Sequence, residues 1–480
     1  MKIHSRFENY VYPVSLILLN FLLKLFFLDS RDIAMDEPFS IFYSQVDFST
    51  LFNMLKTENH PPFHFLILHY WINLFGISAF SVRFLSLIFS VATVFFIYRI
   101  GQKFFSVRAG LIASLIFTFS NYQLIFAHEA RSYSLFALLT SISIFLFFAF
   151  IYLRNQKKYI YLLILVNTLL IYTHFFGFFV LFIELCSCLI IKEHRKQLLK
   201  RYVLILIATF ILFLPYFSIF ISRFRIASLK GTWLAPPVIS DLYNMVWRFS
   251  NVPVIAVFFL SILLLALLKY LWKGGRSEFT SSNVKILFTW FFLPYLLMFF
   301  VSFKIPMFLD RYVIFISPGF YLLVAISISY LMKPAKWFYI FGLGSVCLMA
   351  VTFTPNVDNN RRIREVVEKV KELKKDNSIV YICPEWLDLG FTYYYNNNYF
   401  RQYKDYREKL GSENIFPINS AAQMDTNRIR SSSRVIYFEE WATLVDKDTL
   451  IYKALSKRFR HHESYKIFES FQVHEFTGSL

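Results

Sequence analysis

Long apolar runs, separated by short segments rich in lysine and arginine, recur along most of this chain. At 1.5 Å per residue, a helix of about 18 residues covers about 27 Å, close to the thickness of a bilayer's hydrocarbon core. Eleven runs qualify as candidate spans: 11–28, 80–100, 108–127, 132–153, 159–173, 175–191, 202–221, 252–271, 286–302, 313–332 and 337–353. The pair 159–173 and 175–191 is short for two full crossings. The fold class this predicts is an all-α polytopic membrane protein.

Composition excludes the soluble alternatives. Of 480 residues, 57% are hydrophobic and 60 are phenylalanine, too apolar for a water-soluble chain of this length. The net charge of +19 would suggest nucleic acid in a soluble protein. Here much of the excess falls in short loops between apolar runs, where it sets topology and meets anionic headgroups, so no nucleic-acid partner is expected. Four cysteines, three of them inside apolar runs, form neither a disulfide framework nor a zinc pattern. Lys2 and Arg6 precede the run 11–28, and no small-residue cleavage site follows it, which reads as an uncleaved first helix.

Basic loops orient the chain. Lys2 and Arg6, then Arg99, Lys103 and Arg108, then Arg154, Lys157 and Lys158, then the segments 192–201, 273–276 and 333–336 all fall on one side if there are eleven spans. The positive-inside rule makes that side cytoplasmic. The apolar stretch after His60, residues 63–79, must then lie in the interface without crossing, because counting it would flip every later basic loop. The opposite face collects Asp36 and Glu37 in a long first loop (29–79), Arg83, the segment "AHEARSY" (127–133), His174, "TWLAPP" in a loop 222–251 and "FLDRY" (308–312).

Beyond Phe353 the composition becomes polar. Apolar residues at Ile363, Val366, Val367, Val370 and Leu373 have helical spacing, and 378–383, 434–441 and 467–476 read as strands. The chain therefore divides into a transmembrane domain, 1–353, and a small C-terminal extracytoplasmic α/β domain, 354–480. The latter has no glycine-rich phosphate loop.

An acidic pair beside cations on the outer face suits transfer of a sugar whose leaving group is a lipid-linked phosphate. A carboxylate accepts the nucleophile's proton. Cations neutralise the departing phosphate, and arginine's fork binds two of its oxygens at once. Nucleotide sugars are not expected on that face, which favours a membrane-borne donor.

The segments "MDEPFS", "HPPFHFLILHYWINLFG", "SVRFLSLIFSVATVFFIYRIGQKFF", "HEARSYSLFALL", "YTHFFG" and "DRYVIFISPG" together resemble the C-type polytopic glycosyltransferases. The likeness is to the branch of the protein O-mannosyltransferases and the lipid A aminoarabinose transferase, and it spans residues 11–332 in order. It implies an acid in the first outer loop as catalytic base, carried here to Asp36 with Glu37 beside it. Arg83 matches an arginine that lies close to that acid in the mannosyltransferase branch. His60 stands where some relatives have lysine before two prolines, in reach of donor phosphate or sugar.

Glu129 and Arg131 are ionisable groups between two spans, the kind of placement that marks a site. Arg311 is the preferred phosphate ligand with Tyr312 as a hydrogen-bond partner, while Asp310 could instead neutralise Arg311. His174 completes the substrate-binding set, and Arg223, Arg225 and Lys230 could guide a lipid phosphate inward. No obligatory metal is expected, although a divalent ion is left open because Asp36, Glu37, His60 and His128 are suitable ligand types.

The resulting expectation is a multi-pass glycosyltransferase of a bacterial cytoplasmic membrane. It would move a hexose or pentose from a polyprenyl-phosphate carrier to an envelope protein, lipid A or glycan, inverting the anomeric centre. Two alternatives stay open: a lipid-linked sugar transporter or flippase, and a transferase using a diphosphate-linked donor.

Overall fold

The computed structural model describes residues 6–479 apart from 59, 153–156, 192–193, 233, 273–281, 333, 357–361 and 468–470. Lys2, Arg154, Lys192, Trp233, Lys273, Arg276 and Lys333, used above for topology or motifs, lie outside the described residues. The chain is mostly helical, with one small sheet near the C-terminus.

Each of the eleven apolar runs contains a helix. Among the described residues six helices are long and apolar enough to cross a membrane, or seven if Val107–Thr118 and Asn121–Ala127, bent by 64°, form one span. The other four are shorter: Tyr12–Leu25 and Gly177–Ile190 have 14 residues, and Lys157–Thr173 and Ala335–Val351 have 17. Eleven crossings therefore stand as a sequence expectation. Phe63–Phe75 is a helix of 13 residues, about 20 Å long and short of a crossing. The segment read as a loop over 222–251 is largely helical. Arg195–Lys230 runs through Pro215 for 36 residues, and Ser240–Phe249 follows.

Contacts divide the chain into two compact units. The first comprises Met1–Leu28, Phe52–Ile67 and Arg83–Pro355, and the second Asp29–Leu51, Leu68–Val82 and Asn356–Leu480. Much of the first loop, residues 29–51, thus packs with the C-terminal domain.

In the first unit, helix contacts follow membrane packing rules, with small residues and buried polar groups at the crossings. A Cβ built on Gly101 would come within 2.3 Å of the Gly110 Cα, so helices Ala79–Phe104 and Val107–Thr118 meet backbone to backbone. Backbone cannot move aside as a side chain can. Gly101→Ala is therefore expected to cost at least the usual overpacking penalty, about 1–3 kcal/mol, measured as a lower melting temperature in detergent. An unchanged melting temperature would show that this crossing is not tight. Elsewhere Glu184, fully buried, ties four helices together. Its carboxyl oxygens accept from Asn167 Nδ2 at 2.9 Å and Tyr202 OH at 2.7 Å, and lie 2.6 Å from Ser143 Oγ.

The second unit is built on a five-stranded sheet: β1 (Ser378–Cys383), β2 (Ile415–Pro417), β3 (Arg434–Glu440), β4 (Phe459–Ile467) and β5 (Phe471–Ser479), in the order β2-β1-β3-β5-β4. β1 pairs in parallel with β2 and β3, and β5 pairs antiparallel with β3 and β4. The helix Ile363–Leu373 buries the five apolar residues its spacing predicts. Of the strand expected over 467–476, residues 471–476 lie in β5 and Ile467 ends β4, while 468–470 lie outside the described residues. β4 escapes hydropathy reading because it is a polar edge strand, "FRHHESYKI", exposed along most of its length.

Candidate active site

The expected site residues fall in both units. In the second, Asp36 is half-buried and immediately precedes the helix Glu37–Tyr43, while Glu37 is 1% exposed. Two features fix this bend. Met35 adopts a left-handed conformation (φ 58°), rarely taken by a residue with a long side chain. The Glu37 N–H then closes a turn onto the Ala34 carbonyl at 3.2 Å. Pro38 enters the first helical turn, where its missing N–H is tolerated. The Asp36 side chain makes no capping bond to that helix.

In the first unit a group of cationic and imidazole side chains converges. Arg131 Nη2 donates to His60 Nε2 at 3.1 Å. Guanidinium groups only donate, so His60 is neutral there and carries its proton on Nδ1. His174, between helices Lys157–Thr173 and Gly177–Ile190, accepts the Phe176 N–H at Nδ1 (3.2 Å) and stacks on Phe136 with centroids 4.9 Å apart. Burial first, then the charges of Arg131 and Arg311, hold its pKa down at about 3. Tyr312 packs on the imidazole ring, centroids 5.8 Å apart, and lies 5.5 Å from the Arg311 guanidinium.

Asp310 has two other partners. Its Oδ2 pairs with Arg248 Nη1 at 2.8 Å, and its Oδ1 accepts the backbone N–H of Arg311 at 2.7 Å. Arg83 is fully buried rather than snorkelling, and its Nη1 donates to the Leu28 carbonyl at 3.1 Å. Glu129 is 8% exposed, and its carbonyl accepts from Ser86 Oγ at 2.6 Å and the Arg131 N–H at 2.8 Å. His128 donates from Nε2 to the Lys24 carbonyl at 2.7 Å.

Three further groups were not singled out from sequence. His64, one helical turn beyond His60 across the two prolines, is 2% exposed and its Nε2 has no hydrogen-bond partner among the described residues. Burial, then Arg131, depress its pKa to about 3. Glu58 is half-buried, and burial raises its carboxyl while Arg223 and Arg131 pull it the other way. Lys24 is fully buried in the first helix and donates to Ser90 Oγ at 3.1 Å. The signal for His64 was present in "HPPFH": a second histidine four residues after His60, placed in the first turn of the helix that begins at Phe63.

Two buried neutral histidines predict acid lability. In the unfolded chain each takes a proton near pH 6.5, and in the fold only near 3. Stability is therefore fully present above about pH 6.5 and falls by about 1.4 kcal/mol per histidine per pH unit on acidification toward 3. His64→Gln should remove one histidine's share of that slope in detergent unfolding experiments. An identical slope in the variant would contradict the burial of a neutral imidazole.

Among the described residues no group of three or more His, Cys, Asp or Glu side chains is placed to hold a metal ion.

Residues 59–219 match the family model described as dolichyl-phosphate-mannose-protein mannosyltransferase. No curated protein sequence matches. In fold, the chain is similar to ArnT from Cupriavidus metallidurans bound to undecaprenyl phosphate, with TM-score 0.62, 11% identity, and coverage of 96% of this chain and 97% of that one. It is also similar to the archaeal oligosaccharyltransferase AglB from Archaeoglobus fulgidus in complex with an inhibitory peptide and a dolichol-phosphate, with TM-score 0.56, 11% identity, and coverage of 97% and 74%. Another structure of the Archaeoglobus fulgidus oligosaccharyltransferase, in complex with zinc and sulfate, gives 0.55 at 10% identity over 96% of this chain and 72% of that one. The chain therefore has the fold of the C-type polytopic glycosyltransferases along nearly its whole length, and its sequence likeness to them lies in residues 59–219.

Proposed function

We propose that this protein transfers one sugar from a polyprenyl-phosphate donor to an envelope acceptor at the extracytoplasmic face of a bacterial cytoplasmic membrane. An acceptor hydroxyl or amine attacks the anomeric carbon and loses its proton to the Asp36 carboxylate. The bond from that carbon to the phosphate oxygen breaks as the new bond forms, so the configuration inverts. The electron pair leaves on the polyprenyl phosphate, whose growing charge is met by Arg131 and Arg311.

The observation that carries this reading is a side-chain group in the first unit: Arg131 bonded to His60 at 3.1 Å, and Arg311 lying 5.5 Å from the Tyr312 ring that packs on His174. The imidazole stays neutral, so the positive charge offered to a phosphate is that of the arginines. His60 fixes Arg131 from the side, and Tyr312 and His64 border the same group. Guanidinium forks of this kind suit a phosphate monoester. ArnT bound to undecaprenyl phosphate supports the same class of carrier by analogy of fold.

The test is reconstitution in proteoliposomes with a panel of polyprenyl-phosphate sugars and envelope extract. Formation of a glycosidic product with stoichiometric release of polyprenyl phosphate is expected. Movement of labelled lipid across the bilayer with no glycosidic product would favour the transporter reading, to which the bent pair of helices lends some structural support. Mass spectrometry of envelope glycans from a strain lacking the gene would name the sugar and acceptor.

A further inference from the structure

The loop that bears Asp36 folds as part of the C-terminal unit, and the contacts that hold it there lie on both sides of the acid. Upstream, Ala34 is buried in the same apolar core as Ile363, Val366, Val370 and the strand residues Val380 and Ile436. The neighbouring Ile33 N–H donates to the Tyr394 hydroxyl at 2.6 Å. One residue earlier, Asp32 Oδ2 accepts the Arg364 backbone N–H at 2.8 Å, and its Oδ1 lies 3.5 Å from the Arg364 guanidinium. That side chain in turn lies 5.2 Å from the Tyr394 ring.

Downstream, Pro38 lies against the helix Asp388–Tyr395 where Gly390 lacks a side chain, since a Cβ there would come 3.6 Å from the proline ring. Phe42 closes the contact among Phe400, Tyr403 and Tyr406, with ring centroids 5.0 to 5.7 Å away. Between these two anchors sits the left-handed Met35, and directly after it Asp36. A strained conformation of that kind persists only where its surroundings over-determine it. The half-exposed ion pair contributes little by itself. The buried Ala34 and the Tyr394 hydroxyl carry the restraint, because an unmatched Ile33 N–H inside the fold is costly.

We infer that the C-terminal domain holds the Asp36 carboxylate in its working position, with Tyr394 and Arg364 as positioning residues that act through the Asp32–Ile33–Ala34 segment. This rests on Asp36 being the base of the proposed transfer. It gives the soluble domain a part in catalysis that requires no contact with substrate. A displacement of about 1 Å in a reacting group costs up to about a hundredfold in rate. Loss of one anchor should therefore lower kcat while leaving KM for the lipid-linked donor in place.

The experiment uses the full-length protein in proteoliposomes and compares Tyr394→Phe, Arg364→Gln and Asp36→Asn, alone and combined. Tyr394→Phe is expected to reduce kcat by about 10- to 100-fold at unchanged donor KM. It should also speed amide exchange over residues 30–38 but not over β1 and β3. Combined with Asp36→Asn, it should cause no further loss, since its effect runs through the missing carboxylate. Arg364→Gln should act in the same direction and more weakly.

Wild-type turnover and unchanged exchange in both anchor variants would overturn the inference. So would an equal loss from Tyr394→Phe in the Asp36→Asn background, which would mark a general folding defect. Full activity of Asp36→Asn alone would instead overturn the base assignment, and faster exchange over 30–38 in Tyr394→Phe would then still identify the anchor as structural.

Discussion

Asp36→Asn is expected to reduce transfer from a polyprenyl-phosphate sugar by about 10²- to 10⁴-fold, the range that a positioned general base supplies. The substitution keeps the shape of the side chain and replaces one carboxylate oxygen with NH2, which removes the charge and the basicity. The fold should tolerate it, since the two side chains are nearly isosteric and Met35, Ala34 and Pro38 set the bend. The adjacent acid separates the two roles. Glu37 is 1% exposed, whereas Asp36 is half-buried and more open to an incoming acceptor. Glu37→Gln should accordingly lower the melting temperature more and turnover less than Asp36→Asn. Measured side by side on lipid-linked sugar, near-normal turnover in Asp36→Asn with an intact melting profile would exclude it as the base.

The transmembrane part was legible in the sequence because hydrocarbon leaves a backbone little choice but helix. Each apolar run does contain one, and the short Phe63–Phe75 matches the stretch that the basic loops refused as a crossing. Crossings are harder to read than helices. Gly177–Ile190 has only 14 residues, and hydropathy reports composition rather than depth. The C-terminal helix announced itself through the spacing from Ile363 to Leu373, whereas β4 carries almost no apolar signal and is held by its pairing to β5.

Among the candidate residues, motif order pointed to Arg131, His174 and Arg311 but not to His64, whose depressed pKa depends in part on Arg131, some 70 positions away in the chain. Nor could spacing reveal that Asp310 pairs with Arg248. Long-range pairing of that kind is decided by packing, and sequence periodicity contains no record of it.

Arg311→Gln should lower kcat by about 10²- to 10³-fold, the usual cost of removing one preorganised group that meets developing charge. Arg311→Lys should recover part of the loss, because it restores the charge without the two-pronged geometry. Inhibition by free polyprenyl phosphate should weaken in the same order, since product and departing group share the charged end. A second readout does not depend on activity. His174 is depressed by burial first, then by Arg131 and Arg311, so losing one of those charges must move its titration upward from about 3. Burial remains in force, which keeps it below the ordinary histidine value near 6.5. Histidine-selective NMR in detergent would record the movement in Arg311→Gln and little of it in Arg311→Lys. Wild-type kcat in Arg311→Gln, with a clear shift at His174, would leave the guanidinium as a structural neighbour of the imidazole and pass the phosphate to Arg131. A shift in neither quantity would dissolve the cluster itself.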